Sequence, residues 1–443
     1  MSAPRVQTDL LLQAGRLLLA YNESTGEIHR ALTTTAKTLT DEPCHVAVSY
    51  RDVTVTLGRE APAVAPVREL SYNMAVQSRV HEILGQVRQG RLDATAALSR
   101  LGRVEAETPR HSRWLAALLL GVAAASLAGL LGADAAAAGI AGVATALGLL
   151  VRQELGRRHI CLLALPLTAA LIGAVLGGLA IRQGWTRSPE LVLIVPALML
   201  VPGPHVINGL LDLIDNQLPM SLSRLWLAAA ILLASALGVV VGVELTVPDP
   251  LFPGQGAAAD RLNLASDMAL AGVATCGFAV FYSTPWRHLW MAAAGGMAGH
   301  GLRFVALEAG CRLEAATFLG GLMVGAVAAW MARWSRAPVA VIAFAGAVTM
   351  IPGLSFYRAL AGALQIARLA DRADQATAAA TLGYAFQGCL TATALALGLI
   401  LAARVVQAAA RERYSLVSYY GGRNKPDCSS ASLVQGSGRN EPD

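Results

Sequence analysis

Charge is what this 443-residue sequence has least of. Only 14% of its residues are charged, whereas 55% are hydrophobic and the mean hydropathy is +0.51. Ordinary soluble domains carry about 25% charged residues, so the composition excludes a water-soluble globular protein and predicts an integral membrane protein. Lysine is nearly missing, at Lys37 and Lys425 alone, so the net charge of +6 rests on arginine. Many of these arginines flank apolar segments, where they set topology, and no nucleic-acid partner is expected. The six cysteines (Cys44, Cys161, Cys276, Cys311, Cys389, Cys428) are scattered without any C-x-x-C. Neither a disulfide framework nor a metal site follows, and no cofactor is predicted. Without a Gly-Lys dipeptide there is no Walker A loop, hence no built-in ATP motor of that type. There is no Gly-x-Ser-x-Gly elbow, and His81-Glu82 lacks the second histidine of a zinc protease. His29, His45 and His81, with Glu27 and Glu82 near them, read as surface residues of a helical domain. No catalytic residue is assigned, and the protein is not expected to be an enzyme.

What the sequence has instead is apolar length. From Trp114 onward, segments of about 20 residues, enough to cross a bilayer, fall at Trp114–Leu131, Ala135–Val151, Ile160–Ile181, Leu191–Leu213, Leu222–Val243, Leu264–Tyr282, Leu289–Leu307, Ala315–Ala332, Val339–Ile366 and Ala379–Ala403. Arg110, Arg113, Arg152, Arg157, Arg158, Arg287, Arg333, Arg336, Arg404, Arg411 and Arg413 collect on one side of this map. Asp134, Glu244, Asp249, Asp260 and Glu308 collect on the other, although Arg182 and Arg187 join them there. The positive-inside rule then puts both termini in the cytoplasm and the protein in the plasma membrane. Trp286, Trp290, Trp330 and Trp334 fit an interfacial belt.

Ahead of the spans, residues 1–110 predict a small α+β cytosolic domain. Met1 to Asp9 is too polar for a signal peptide. Leu10, Ala14, Leu17, Leu18 and Tyr21 share one helical face. Ser24-Thr25-Gly26-Glu27 fits a capping box opening a second helix that carries Ile28, Leu32 and Leu39. Val46, Val48 and Tyr50 alternate, as do Val53, Val55 and Leu57, predicting a strand pair. Ala61 to Pro66 reads as a loop. Val80, Ile83, Leu84 and Val87 predict a third helix, and Leu98, Leu101 and Val104 a fourth. Residues 409–443 are polar and predict a disordered tail.

Two apolar segments are interrupted. Val201-Pro202-Gly203-Pro204-His205 breaks the fourth, and Ile351-Pro352-Gly353-Leu354-Ser355 breaks the ninth, 150 positions later. Proline removes a donor and clashes with the preceding turn, and broken backbone at membrane depth needs protein or a water-filled cavity around it. Other phrases recur in the same order: Gly121-Val122-Ala123 with Gly272-Val273-Ala274, Ala136–Gly139 with Ala292–Gly295, and Gly173-Ala174-Val175 with Gly325-Ala326-Val327. The chain therefore reads as a duplication, residues 111–245 and 246–408. Five spans in each half would make the second half enter from the opposite face. The predicted fold is an all-α polytopic membrane protein of about ten transmembrane helices, arranged as two inverted five-helix repeats with broken helices, behind the N-terminal domain. Matched broken helices point to a transporter's binding site.

The sequence resembles the threonine/serine exporter family over about residues 8–408. The resemblance is carried by Leu11-Leu12-Gln13-Ala14-Gly15-Arg16-Leu17-Leu18 with Ser24-Thr25 behind it, by Pro202-Gly203 and Pro352-Gly353 with Asn208-Gly209, and by the layout. Asn22 stands where the family usually has glycine, and asparagine tolerates the left-handed conformation that glycine would supply. The resemblance implies proton-driven export of L-threonine, L-serine or a similar small polar metabolite. Some members resemble exporters of small dicarboxylates instead.

Read from the residues alone, the half-helices after Gly203 and Gly353 would aim positive dipole ends at a substrate carboxylate. Candidate substrate ligands are Pro202, Gly203, His205, Asn208, Asp212, Pro352, Gly353, Ser355, Tyr357 and Arg358. Asn208 and Ser355 could bond the carboxylate or hydroxyl, and Asp212 the ammonium, unless Asp212 and Asp215 are solvated loop residues. Arg358 could take a carboxylate bidentately or cap its half-helix. His300, mid-span, and Asp267 are the candidates for proton coupling, with His300 otherwise a neutral histidine held by a carbonyl. Partners are the small-molecule substrate, protons and the bilayer. A homo-oligomer stays open, as does a passive channel on the same repeats. A hydrolase in the N-terminal domain would need a constellation that is absent there.

Overall fold

The computed structural model describes residues 3–421 apart from positions 69, 159, 248–261, 336 and 373, with side chains in the last helix described to Val406. Asp249, Asp260 and Arg336, and residues 422–443 of the predicted tail, lie outside the described residues.

The N-terminal unit comprises α1 (Ala3–Ala20), α2 (Thr25–Leu39), β1 (Cys44–Val48), β2 (Asp52–Leu57), β3 (Ala63–Pro66), α3 (Met74–Arg88) and α4 (Ala94–Glu107). Leu10, Leu11, Ala14, Leu17 and Leu18 form the buried stripe of α1. The helix ends as Asn22 turns left-handed, at φ 62°, and the Glu23 N–H returns to the Leu18 carbonyl at 2.9 Å. This is the Schellman pattern, with asparagine at the position glycine usually fills. The expected capping box on α2 does not form. Ser24 occupies the N-cap position but its side chain makes no cap bond, and Glu27 pairs with Arg30 instead. The three strands form an antiparallel sheet in the order β1-β2-β3. Val46 faces Val55 across the first pair, and Val53 and Val55 are fully buried. Residues Ala63–Pro66 are thus an edge strand, not the predicted loop. The segment alternates weakly, Val64 out and Ala65 in, and Pro66 sits at its end, where a missing N–H removes no ladder bond. Asn73 and Asp93 cap α3 and α4 by accepting from the N–H groups of their first turns. This core also takes in Met220 of the membrane region.

The remaining helices are α5 (Arg113–Leu130), α6 (Ala135–Arg157), α7 (Ala164–Arg182), α8 (Pro189–Leu198), α9 (Gly203–Ile214), α10 (Leu218–Thr246), α11 (Leu264–Phe281), α12 (Trp286–Glu308), α13 (Leu313–Ser335), α14 (Val339–Val348), α15 (Gly353–Leu369) and α16 (Gln375–Gly421). Seven are long and apolar enough to cross a membrane, or nine spans if each bent pair counts once: α8 with α9, bent by 65°, and α14 with α15, bent by 50°. The protein is a mostly helical, multi-pass membrane protein. At 23 residues α12 is as long as α13 and longer than α11, but Arg287, His288, His300, Arg303 and Glu308 dilute its apolar character. The segment Ala135–Val151 proves longer than its apolar run, because α6 continues to Arg157.

Packing repeats between the halves. α7 lies along α10 as α13 lies along α16, α5 contacts α6 as α11 contacts α12, and α5 meets α11. The close approaches use glycine: a Cβ at Gly238 would strike the Leu167 carbonyl, and one at Gly398 the Phe318 carbonyl. Small residues let helices approach closely where lipid offers no hydrophobic drive. Gly238→Val is therefore expected to cost about 1–3 kcal/mol by overpacking. Thermal unfolding of purified protein in detergent would register this. An unchanged midpoint would mean that α7 and α10 separate freely.

Candidate functional site

Both breaks are built the same way. Pro202 (φ −77°, ψ 66°) and Pro352 (φ −75°, ψ 53°) are the N-caps of α9 and α15. The N–H of Gly203 bonds the Val201 carbonyl at 2.7 Å, and that of Gly353 bonds the Ile351 carbonyl at 2.7 Å. Each is an inverse γ-turn centred on proline, which halts the incoming helix and restarts it at an angle. The two turns meet. A Cβ on Gly203 would lie 3.0 Å from Ile351 Cδ1 and 3.1 Å from Val348 Cγ2, while one on Gly353 would lie 3.1 Å from Leu198 Cδ2. Each glycine thus abuts the other break, and a larger residue would push them apart.

Beside this crossing lies a cavity of about 330 Å³ walled by Val201, Val348, the segment Thr349–Ser355 and Arg358. Its polar groups come from five further positions on α11, α12 and α16, namely Asp267, His300, Arg303, Gln387 and Thr391. His300 Nδ1 lies 3.4 Å from Asp267 Oδ2. The pair is close enough for attraction but makes no hydrogen bond of good geometry: both ring nitrogens of His300, Asp267 Oδ2 and Thr391 Oγ1 are buried without a partner among the described residues. Buried polar atoms are nearly always satisfied, so this set is suited to a polar ligand. Arg303 Nε donates to Thr317 Oγ1 at 3.2 Å. Ser355 Oγ is 3.4 Å from Gln387 Oε1. Leu354 and Ser355, in the first turn of α15, bring the positive end of that helix to the cavity.

Of the residues predicted from sequence, Pro352, Gly353, Ser355, Arg358, His300 and Asp267 gather at this one cavity. Arg358 does grip a carboxylate with both arms of its fork, but that carboxylate is Glu190, at 2.7 and 2.9 Å. Tyr357 is buried in the apolar core. Pro202 and Gly203 form the crossing itself. His205, Asn208 and Asp212 lie along α9 on its far side. His205 stacks edge-on to Tyr72 at 5.8 Å. Asn208 donates its amide to the Asn22 carbonyl at 2.6 Å. Asp212 is fully buried. It accepts the Thr25 N–H at 2.9 Å and lies 3.4 Å from Arg224 Nε, while Arg224 Nη2 donates to the Glu23 carbonyl at 2.5 Å. The corner between α1 and α2 is thereby seated on α9 and α10. Asp212 supplies the helix cap that the Ser24 side chain does not. Asp215 closes α9 and pairs with Arg404.

Sequence reasoning missed Glu190, Arg224, Gln387 and Thr391. Arg224 carried a usable signal: it is an ionisable residue inside the apolar stretch Leu222–Val243, and such residues are functional candidates by default. Glu190 did not, since its partner lies 168 positions away.

Two family models match the chain: one described as a threonine/serine exporter over residues 9–246, and one described as Threonine/Serine exporter, ThrE, over residues 267–405. No solved structure matches it.

Proposed function

The chain belongs to the threonine/serine exporter family, and on that premise we propose that it is a secondary-active exporter of L-threonine, L-serine or a similar small polar metabolite, driven by inward proton flow. The observation that carries this reading is the crossing of two identical proline-centred breaks beside a polar cavity. Discontinuous helices with facing half-helix ends are how carriers build a midplane site. Counting the seven long helices, the two bent pairs and α12 gives ten spans, or two five-helix halves of opposite orientation. The termini and the N-terminal unit are then cytoplasmic, and the cavity opens outward.

In this reading the N-terminal end of α15 and Arg303 receive the substrate carboxylate, Asp267 the ammonium, and Ser355, Gln387 and Thr391 the hydroxyl. His300 with Asp267 carries the proton. Arg358, already engaged by Glu190, shapes the wall. A small dicarboxylate is the second reading, favoured by Arg303, which has no carboxylate within ion-pairing range among the described residues.

Counterflow in proteoliposomes tests the assignment. Preloaded L-threonine should drive saturable uptake of labelled L-threonine. Thr391→Val should raise half-saturation about tenfold, the cost of one lost hydrogen bond of about 1.5 kcal/mol. Linear, non-saturating flux would favour a channel. Exchange of succinate but not threonine would favour the dicarboxylate reading, and unaltered exchange in Thr391→Val would move the site elsewhere.

A further inference from the structure

A second cavity, of about 300 Å³, lies where the N-terminal unit meets the membrane helices. One wall is apolar and belongs to the membrane region, with Ile207 of α9, Val339, Ala340 and Phe344 of α14, and Leu399 of α16. The other wall is polar and belongs to the N-terminal unit, with Glu23, Glu27, His81 and Arg88. The break cavity described above draws its charged groups from membrane helices, but here all except Asp215 and Arg404 come from the domain ahead of them.

The charges in this second cavity are not all spent on one another. Glu27 is engaged by Arg30 and Asp215 by Arg404, and burial raises the Glu27 carboxyl above its ordinary value against the pull of Arg30. Glu23, with 3% of its side chain exposed, accepts the Ser24 N–H on Oε1 at 3.1 Å, and the one basic side chain within ion-pairing distance among the described residues is His81, whose Nε2 lies 3.3 Å from Oε2. Arg88 has no carboxylate within ion-pairing distance among the described residues. A buried carboxylate with no arginine or lysine in ion-pairing distance and an arginine with no carboxylate in ion-pairing distance, among the described residues, are thus presented to one cavity with an apolar floor. Pockets for small ligands have this build, an apolar lining with a few convergent polar groups. A zwitterion complements it: an ammonium satisfies Glu23, and a carboxylate satisfies Arg88 through its fork.

Position gives the cavity a role. The corner holding Glu23 is clamped to α9 and α10 by Asn208, Asp212 and Arg224, so Glu23 is fixed relative to the first break and cannot drift with a loose domain. Asn208 lines the cavity as well.

We propose that this inner cavity is the loading site of the carrier, binding the α-amino-acid zwitterion through Glu23 and Arg88 of the N-terminal unit before it reaches the breaks. The unit is then part of the transport path and selects for amino acids over dicarboxylates, because a dicarboxylate would set a second anion against Glu23. The proposal rests on the exporter reading given above.

The test reads occupancy directly, apart from transport. In a full-length background with the six cysteines replaced, Ala340→Cys places one thiol on the apolar wall. A membrane-impermeant maleimide is applied from the side of the N-terminal unit, with and without L-threonine. Millimolar L-threonine should slow alkylation severalfold and saturably, and succinate should not. Glu23→Gln and, separately, the less buried Arg88→Gln should each raise the half-saturation of that protection about tenfold, the equivalent of about 1.4 kcal/mol. Unfolding curves identify a variant that fails to fold, and Arg88→Gln then decides alone. Unchanged alkylation with L-threonine overturns the proposal, whether or not the protein exchanges threonine. Protection by succinate in place of threonine overturns the ligand class. Protection without counterflow would keep this site and sink the exporter reading instead.

Discussion

Asp212→Ala is expected to destabilise the protein by about 3–5 kcal/mol, the cost of removing one partner from a buried charge pair. The Arg224 guanidinium is fully buried and would keep only the Glu23 carbonyl as a close partner. The Thr25 N–H would lose its acceptor at the first turn of α2. Asp212→Asn retains an oxygen for that N–H and should cost less. Arg224→Ala should match Asp212→Ala. The double variant Asp212→Ala/Arg224→Ala should fall short of the sum by about 0.5–3 kcal/mol, because the second deletion removes a charge the first had stranded. A double-mutant cycle on unfolding in detergent measures this. Strict additivity would mean that the 3.4 Å approach of the two side chains carries no coupling. The same variants should loosen the α1–α2 corner, so proteolysis between residues 20 and 26 is the companion readout.

The corner also marks the boundary between what the sequence discloses and what it hides. Local periodicity is enough for α1 to α4, because each buries one stripe and the stripe is printed in the order of residues. Proline followed by glycine is enough for both breaks, since the constraint that halts the helix lies within three residues. The same local logic misplaces Ser24 to Glu27. The tetrapeptide suits a capping box, but a carboxylate 187 positions further along reaches the Thr25 N–H first, and Glu27 is left for Arg30. Strand β3 escapes because four residues with a terminal proline offer little alternation, and it forms because β2 has a free edge. Arg224 is visible as an ionisable residue inside an apolar stretch, but its partners, Asp212 and the Glu23 carbonyl, emerge only once the corner docks. At the break cavity, His300 and Asp267 are visible as costly polar residues within apolar segments, but their 3.4 Å approach needs α11 and α12 to be aligned. Ser355 is marked in sequence only by its place behind the second break, and Thr391 is an ordinary hydroxyl residue there. Only the packing of α15 against α16 turns both toward one space.

That His300–Asp267 pair supports the second large prediction, the loss of accumulation without loss of exchange. If one proton moves per substrate through this pair, a gradient of one pH unit supports about a tenfold substrate gradient, equal to about 1.4 kcal/mol. A carrier that no longer takes up the proton can only equilibrate, so Asp267→Asn and His300→Gln should bring the accumulation ratio to about one in proteoliposomes held at that gradient. Counterflow at equal pH needs no net proton movement and should persist in both variants with its pH profile flattened, although Asp267→Asn, which removes the partner of the substrate ammonium, should raise its half-saturation. Arg303, one turn from His300 on the same helix, would sustain carboxylate binding in either variant. Asp267→Glu keeps a titratable group in reach of the imidazole and should retain part of the accumulation. The decisive contrast is between the two assays. A variant that loses counterflow together with accumulation has lost its substrate site or its fold, and a variant that still accumulates threonine tenfold has its proton carried elsewhere. Only the split result, exchange kept and accumulation gone, assigns the coupling to a buried histidine and carboxylate that face the cavity with polar atoms to spare.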